Sequence, residues 1–153
     1  MDLKGKKVLI VEDDVLLRRL LFDRLARLRE KGIEVLPTAN AEEGLEKARA
    51  EKPDIVLLDL VLPGVNGFDF LERLRKDDEL KGTTVAILSN LSDESDKARA
   101  RSLGAVAYFV KADFSLGEIS DAVEELLGNR RLGDHTAKEP EVQKTPNGYM
   151  IYL

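Results

Sequence analysis

The chain has no cysteine, a single histidine and no long apolar run, and each shortage removes a class of chemistry. Without cysteine there is no disulfide framework, no thiolate nucleophile and no cysteine-based zinc site, a composition that fits a reducing cytosol. The one histidine, His135, lies in a polar stretch near the C-terminus, where it reads as inert and not as a phosphocarrier. The stretch from Met1 to Lys7 leads into only four apolar residues before Glu12, too few for a signal-peptide core or a membrane span. A cytoplasmic protein without membrane attachment is therefore expected. Basic residues are also in deficit, since 24 Lys and Arg against 29 Asp and Glu give a formal net charge of −5. Nucleic-acid binding is not expected from such a balance, because affinity for a phosphate backbone needs a basic surface.

What is present is an alternation of short apolar runs and amphipathic segments. With 153 residues the chain has the length for one domain with a substantial core. Val8-Leu9-Ile10-Val11 and Pro53-Asp54-Ile55-Val56-Leu57-Leu58 are β-branched and leucine-rich runs that stop at acids, Glu12-Asp13-Asp14 and Asp59. Such runs read as strands buried on both faces. Ile33–Leu36, Val85–Leu88 and Ala107–Val110 read as three more. Between the first two strands, Leu16, Leu17, Leu20, Leu21, Leu25 and Leu28 recur at helical spacing up to Gly32, with Arg18, Arg19, Arg24 and Arg27 largely between them. Asn40 is placed to cap a helix reaching about Glu51. Asn66-Gly67 marks a turn ahead of a helix carrying Phe68, Leu71 and Leu74. A polar helix with Ser92 or Asp93 near its cap runs to Leu103-Gly104, and Ser115 with Glu118 resembles a capping box for the last helix, ending at Gly128. Five strand-helix units without a large insert predict an α/β fold, a doubly wound parallel sheet with right-handed crossovers and helices on both faces.

Open parallel sheets bind ligands beyond the carboxyl ends of their strands. There the first strand delivers Glu12 and Asp13, the third Asp59, the fourth Ser89 and the fifth Lys111. Each residue alone has an ordinary explanation: acids cap helices, as Asp14 is expected to, and serine and lysine are common at strand ends. Their joint arrival at one edge points to chemistry. Three carboxylates repel one another unless a cation lies among them, and hard oxygen ligands without histidine or cysteine suit Mg²⁺. A phosphoryl group held there could take a hydrogen bond from Ser89 and the charge of Lys111. Asp59 supplies a carboxylate nucleophile able to form an aspartyl phosphate. A phosphatase using the same nucleophile usually needs a second acid two residues on, and that position is Val61.

From about Lys6 to Leu127 the chain resembles a response-regulator receiver domain of two-component signalling, of the CheY-like type. The resemblance is carried by Val8–Asp14, by Asp59-Leu60-Val61-Leu62-Pro63-Gly64 with Gly67, by Ser89, and by Gly104-Ala105 ahead of Tyr108-Phe109-Val110-Lys111. It implies a flavodoxin-like (βα)5 fold with strand order 2-1-3-4-5, residues 1–128 being the receiver. It further implies that Asp59 is the phosphoacceptor, Asp13 a direct metal ligand, Glu12 a ligand acting through water and the Val61 backbone carbonyl the last protein ligand. Ser89 and Lys111 would contact the phosphoryl group, and Tyr108 would be the aromatic switch, turning inward as Ser89 moves. The donor would be a phosphohistidine on a histidine kinase or phosphotransfer protein, and the protein a switch of partner affinity that assists its own Mg²⁺-dependent phosphorylation and dephosphorylation.

Two positions depart from the family pattern. Ala112 stands where the family usually has a proline joined through a cis bond; a non-proline cis bond costs roughly 2.5 to 4 kcal/mol, which predicts a trans bond and a displaced loop before Phe114. Asn90 stands where the family prefers alanine or glycine beside the phosphoryl site. Residues 129–153 form a polar C-terminal tail ending in Tyr149-Met150-Ile151-Tyr152-Leu153. It reads as disordered, or as a short hairpin turning at Thr145-Pro146-Asn147-Gly148 that docks in a groove, on a sheet edge or on a second chain. No output domain is recognisable, so a stand-alone receiver is expected, with a homodimer through the fourth helix, fifth strand and fifth helix, or through the tail. The alternative is a receiver-like module that assembles through its tail without being phosphorylated. The arginines of the first helix read as a solvated face, with docking of an acidic kinase as the other reading.

Overall fold

The computed structural model describes residues 3–128, 142–145 and 148–152. Five parallel strands, β1 (Lys7–Val11), β2 (Glu34–Thr38), β3 (Ile55–Leu58), β4 (Thr84–Ser89) and β5 (Ala107–Val110), lie in the order β2-β1-β3-β4-β5. They alternate with α1 (Val15–Leu25), α2 (Ala41–Glu51), α3 (Gly67–Lys76), α4 (Glu94–Ser102) and α5 (Leu116–Gly128). The order and direction are those expected from the sequence, but the sheet does not end at β5. Strands β6 (Val142–Thr145) and β7 (Gly148–Tyr152) form an antiparallel hairpin, and β7 pairs antiparallel with β5, giving a seven-stranded sheet.

Alternate residues of each strand feed two separate cores, because successive side chains point to opposite faces. Val8, Ile10, Ile55, Leu57, Ala86, Leu88, Ala107 and Phe109 pack with α1 and α5. Leu9, Val11, Val56, Leu58, Val85, Ile87 and Tyr108 pack with α2, α3 and Ala100 of α4. Helix α1 contributes Leu21 and Leu25 to the first core, followed by Leu28 from a 3₁₀ turn (Ala26–Lys31) that closes at Gly32 with φ 88°. Leu16 and Leu20, expected on the same stripe, are 67% and 40% exposed. The stripe that reaches the sheet is Leu17, Leu21, Leu25 and Leu28, whose spacing of four, four and three residues stays on one side of a helix. Strand β2 begins and ends later than expected and runs through Pro37, which a terminal strand tolerates.

The helix starts follow their capping residues. Asp14 accepts from the Leu17 N–H at 2.9 Å, Asn40 from Glu43 at 2.8 Å and Asn66 from Asp69 at 3.0 Å. Ser115 Oγ accepts from the Glu118 N–H while Glu118 accepts from the Ser115 N–H, closing the expected capping box. Asp93 begins α4 without a side-chain cap, and Ala100 is the only residue this helix buries. At the amino ends of β4 and β5, Arg75 donates to the carbonyls of Leu103, Lys81, Thr83 and Gly104, so one half-buried guanidinium ties two loops together.

At Gly67 a Cβ would lie 2.4 Å from the Asp59 carbonyl oxygen and 2.5 Å from Leu60 Cα, both backbone atoms. Gly67→Ala is expected to lower stability in urea by about 1–3 kcal/mol through forced backbone movement. Gly82→Ala, where nothing lies within 4 Å, serves as the control; equal effects of the two would refute the steric reading. Asn40→Ala should cost about 1 kcal/mol and Asn40→Asp much less, since only the former loses the cap.

Candidate functional site

The register of β1 and β3 ends on the pair Val11↔Leu58, so Glu12 and Asp59 follow side by side at the carboxyl edge. Backbone bonds hold both in place: the Glu12 N–H donates to Thr38 O at 3.1 Å and the Asp59 N–H to Val11 O at 3.0 Å. Glu12 is 2% exposed and Asp59 4%, whereas Asp13 lies on the surface. One carboxylate oxygen from each of Glu12, Asp13 and Asp59 lies within 4.8 Å of the others. Asp14 turns away to cap α1, as expected.

Lys111, at the end of β5, reaches across the edge. Its ammonium lies 2.7 Å from Glu12 Oε1 and 2.9 Å from Asp59 Oδ2. Burial alone would lower the Lys111 pKa, but its hydrogen bonds to the two carboxylates outweigh burial and raise it. Glu12 is raised by burial, against the opposing pull of Lys111 and of the Asp14 N–H, which donates to Oε2 at 3.0 Å. Asp59 Oδ1 accepts from the Val61 N–H at 3.0 Å, so each oxygen of this carboxylate has a defined partner. Val61 itself is 55% exposed, on the loop leaving β3. Three carboxylates against one ammonium leave negative charge in excess. An all-oxygen, acidic donor set of this kind fits a hard divalent cation such as Mg²⁺.

Ser89 is fully buried at the end of β4, and its Oγ accepts from the Leu91 N–H at 3.3 Å. Asn90 beside it is exposed. Tyr108 is 1% exposed and donates its hydroxyl to Leu91 O at 2.6 Å. The ring lies inside, held by that carbonyl. Burial, reinforced by Asp96 and Asp59, pushes its hydroxyl pKa up to about 12, so it remains a donor. Residues Lys111–Asp113 form a 3₁₀ turn in which the Lys111–Ala112 bond is trans, as expected, and Phe114 packs edge-on against Phe109 at 5.2 Å.

Of three supporting residues, Thr38 went unnamed in the sequence reading, while Arg18 and Gly67 were named there without the roles they take. Thr38 donates its buried hydroxyl to Ile10 O at 2.6 Å while its carbonyl holds Glu12. Arg18, assigned to a solvated face, donates to Glu12 O at 2.9 Å. Gly67 lets α3 start against the Asp59 carbonyl. The position of Thr38 at the end of a strand sharing the edge was a usable signal; neither of the others had one in spacing alone.

The response regulator receiver domain family matches residues 8–124. The chain is 37% identical over 105 residues to Protein PilH of Pseudomonas aeruginosa, covering 69% of this chain and 84% of that protein. It is 33% identical over 124 residues to the polar-differentiation response regulator DivK of Brucella anthropi, covering 81% and 98%. A probable transcriptional regulator, ycf27 of Cyanophora paradoxa, is 34% identical over 127 residues, 83% of this chain but 50% of that protein. The chain thus spans only about half of some relatives and nearly all of others. Among solved structures, a CheY-like receiver from Methanospirillum hungatei superposes with a TM-score of 0.71 at 27% identity, covering 80% of this chain and 94% of that one. Chemotaxis protein CheY4 of Vibrio cholerae gives 0.70 at 26%, covering 79% and 98%. These likenesses favour a phosphoacceptor signalling role over an assembly module that is never phosphorylated. The edge geometry and the match over residues 8–124 agree, and the chain belongs to the response regulator receiver domain family.

Proposed function

We propose that the protein is a phosphorylation-driven switch whose phosphoacceptor is Asp59, taking its phosphoryl group from a phosphohistidine on a histidine kinase or phosphotransfer protein. The observation that carries this reading is the convergence on Asp59 of a lysine at 2.9 Å and of two further acids, Glu12 and Asp13. In the transfer, an oxygen of the Asp59 carboxylate attacks phosphorus, the phosphorus–nitrogen bond of the donor breaks, and its electron pair leaves on the imidazole. Asp13 would hold Mg²⁺ directly and Glu12 through water, with Asp59 and the Val61 carbonyl completing the protein ligands. When bound, Mg²⁺ offsets the charge that develops on the phosphoryl oxygens. Lys111 is close enough to Asp59 to pair with a phosphoryl oxygen on it, and the buried Ser89 hydroxyl donates to another. Asn90 and Ala112 flank these two groups and set access to them.

A new dianionic group on Asp59 redirects the Ser89 hydroxyl, and the loop from Ser89 to Leu91 carries the change to Tyr108. The output is a change in partner affinity at the surface formed by α4, β5 and α5, bounded by the differential affinity of the partner for the two states.

With Mg²⁺ and acetyl phosphate, the intact mass should rise by one phosphoryl group, and Asp59→Asn or chelation of the metal should abolish the gain. An unmodified mass, where a control receiver is labelled, would sink the proposal. Mg²⁺ alone should stabilise the fold by about 2.7 kcal/mol at one hundred times its Kd. Asp13→Asn should remove most of that increment while leaving the metal-free melting temperature close to the parent, since Asp13 is exposed.

A further inference from the structure

The C-terminal hairpin has no part in the phosphoacceptor chemistry, yet it occupies one of the two rims that the five-stranded parallel sheet would otherwise leave bare, the rim whose strand leads into Lys111. An uncovered edge strand presents unpaired N–H and C=O groups to any extended chain. β7 fills this edge through two residue pairs, Ala107↔Tyr152 and Tyr108↔Ile151. Four pairs, from Val142↔Ile151 to Thr145↔Gly148, hold the hairpin together. An isolated two-stranded hairpin is marginal in water, so β6 and β7 depend on β5 for their order. Two pairs are a slender attachment, suited to reversible docking.

One of those two pairs falls on Tyr108. A continuous run of contacts connects it with the site: Ser89 Oγ accepts from the Leu91 N–H, Leu91 O accepts from the Tyr108 hydroxyl, and the Tyr108 backbone pairs with Ile151. The segment in the middle of this run leads into α4, which has no side-chain cap and buries only Ala100, so little packing resists its movement.

We propose that the β6–β7 hairpin is an intramolecular occupant of the β5 edge that is released when Asp59 is phosphorylated. This inference rests on the phosphoacceptor reading above. When the Ser89 hydroxyl turns to the phosphoryl group, the Leu91 N–H loses its acceptor and the loop shifts. Tyr108 then loses the carbonyl that fixes it, and half of the attachment of the hairpin is disturbed. The freed β5 edge becomes available to an extended segment of a partner, which adds as a strand in place of β7. Coupling of this kind is reciprocal: a docked hairpin disfavours the phosphorylated state by the factor with which phosphorylation disfavours docking.

The test is amide hydrogen exchange of residues 148–152 in the full-length chain, with and without Mg²⁺ and acetyl phosphate, with the intact mass of each sample recorded alongside. Protection in the unmodified chain should fall on phosphorylation on the order of tenfold, within the usual range of site-to-site coupling. Asp59→Asn should keep its protection in the phosphodonor. In Tyr108→Phe, protection should no longer differ between molecules with and without the adduct. Ile151→Pro, which breaks a strand paired on both sides, should abolish protection in either state and raise the yield of adduct. An adduct with unchanged or greater protection overturns this inference alone. So does a hairpin already unprotected in the unmodified chain, or loss of protection in Asp59→Asn. Absence of any adduct overturns the phosphoacceptor reading and this inference with it.

Discussion

The ammonium of Lys111 between Glu12 and Asp59 is the interaction on which the carboxyl edge depends. Two buried carboxylates side by side carry a desolvation cost and repel each other, and removing the partner of such a charge is strongly destabilising. Lys111 offsets both terms at 2.7 and 2.9 Å, and it can do so only because β5 ends level with β1 and β3 across the sheet. The same placement orients Asp59, whose other oxygen accepts from the Val61 N–H. The Asp59 carboxylate is thereby held by one charged and one neutral donor, while Asp13 keeps the group open to solvent.

Much of this edge was legible from the residues, because parallel strands that each end in a functional side chain deliver those side chains to one place. Glu12, Asp59 and Lys111 needed only the strand boundaries to be correct within a residue. Other features lay beyond such reasoning. Helix α1 carries two overlapping leucine stripes, and only packing against the sheet selects Leu17, Leu21 and Leu25 over Leu16 and Leu20. The inward position of Tyr108 is set by a carbonyl 17 residues away in sequence, which no spacing rule reveals. A turn between residues 145 and 148 was visible in the tail, but an apolar strand has no intrinsic choice of edge; its pairing with β5 follows from which rim the fold leaves open.

The two ends of the sheet are built differently. At the amino ends of β4 and β5, the Arg75 guanidinium donates to four carbonyls and fixes the loops around them. At the carboxyl ends, the link between β4 and α4 rests on single hydrogen bonds from Leu91 to Ser89 and from Tyr108 to Leu91. The sheet therefore has a firm base at its amino ends and a more loosely tied loop beside the acidic edge.

Pro37 gives the opposite rim a consequence of its own. It sits within β2, the terminal strand on that side, and interrupts the row of backbone donors that a neighbouring chain would need. The parallel sheet can thus be extended readily at β5 but poorly at β2, and its own C-terminal segment occupies the receptive side. With the hairpin in place the terminal strand on that side is β6, so the row of backbone donors and acceptors open to a further strand is moved outward from β5 to β6.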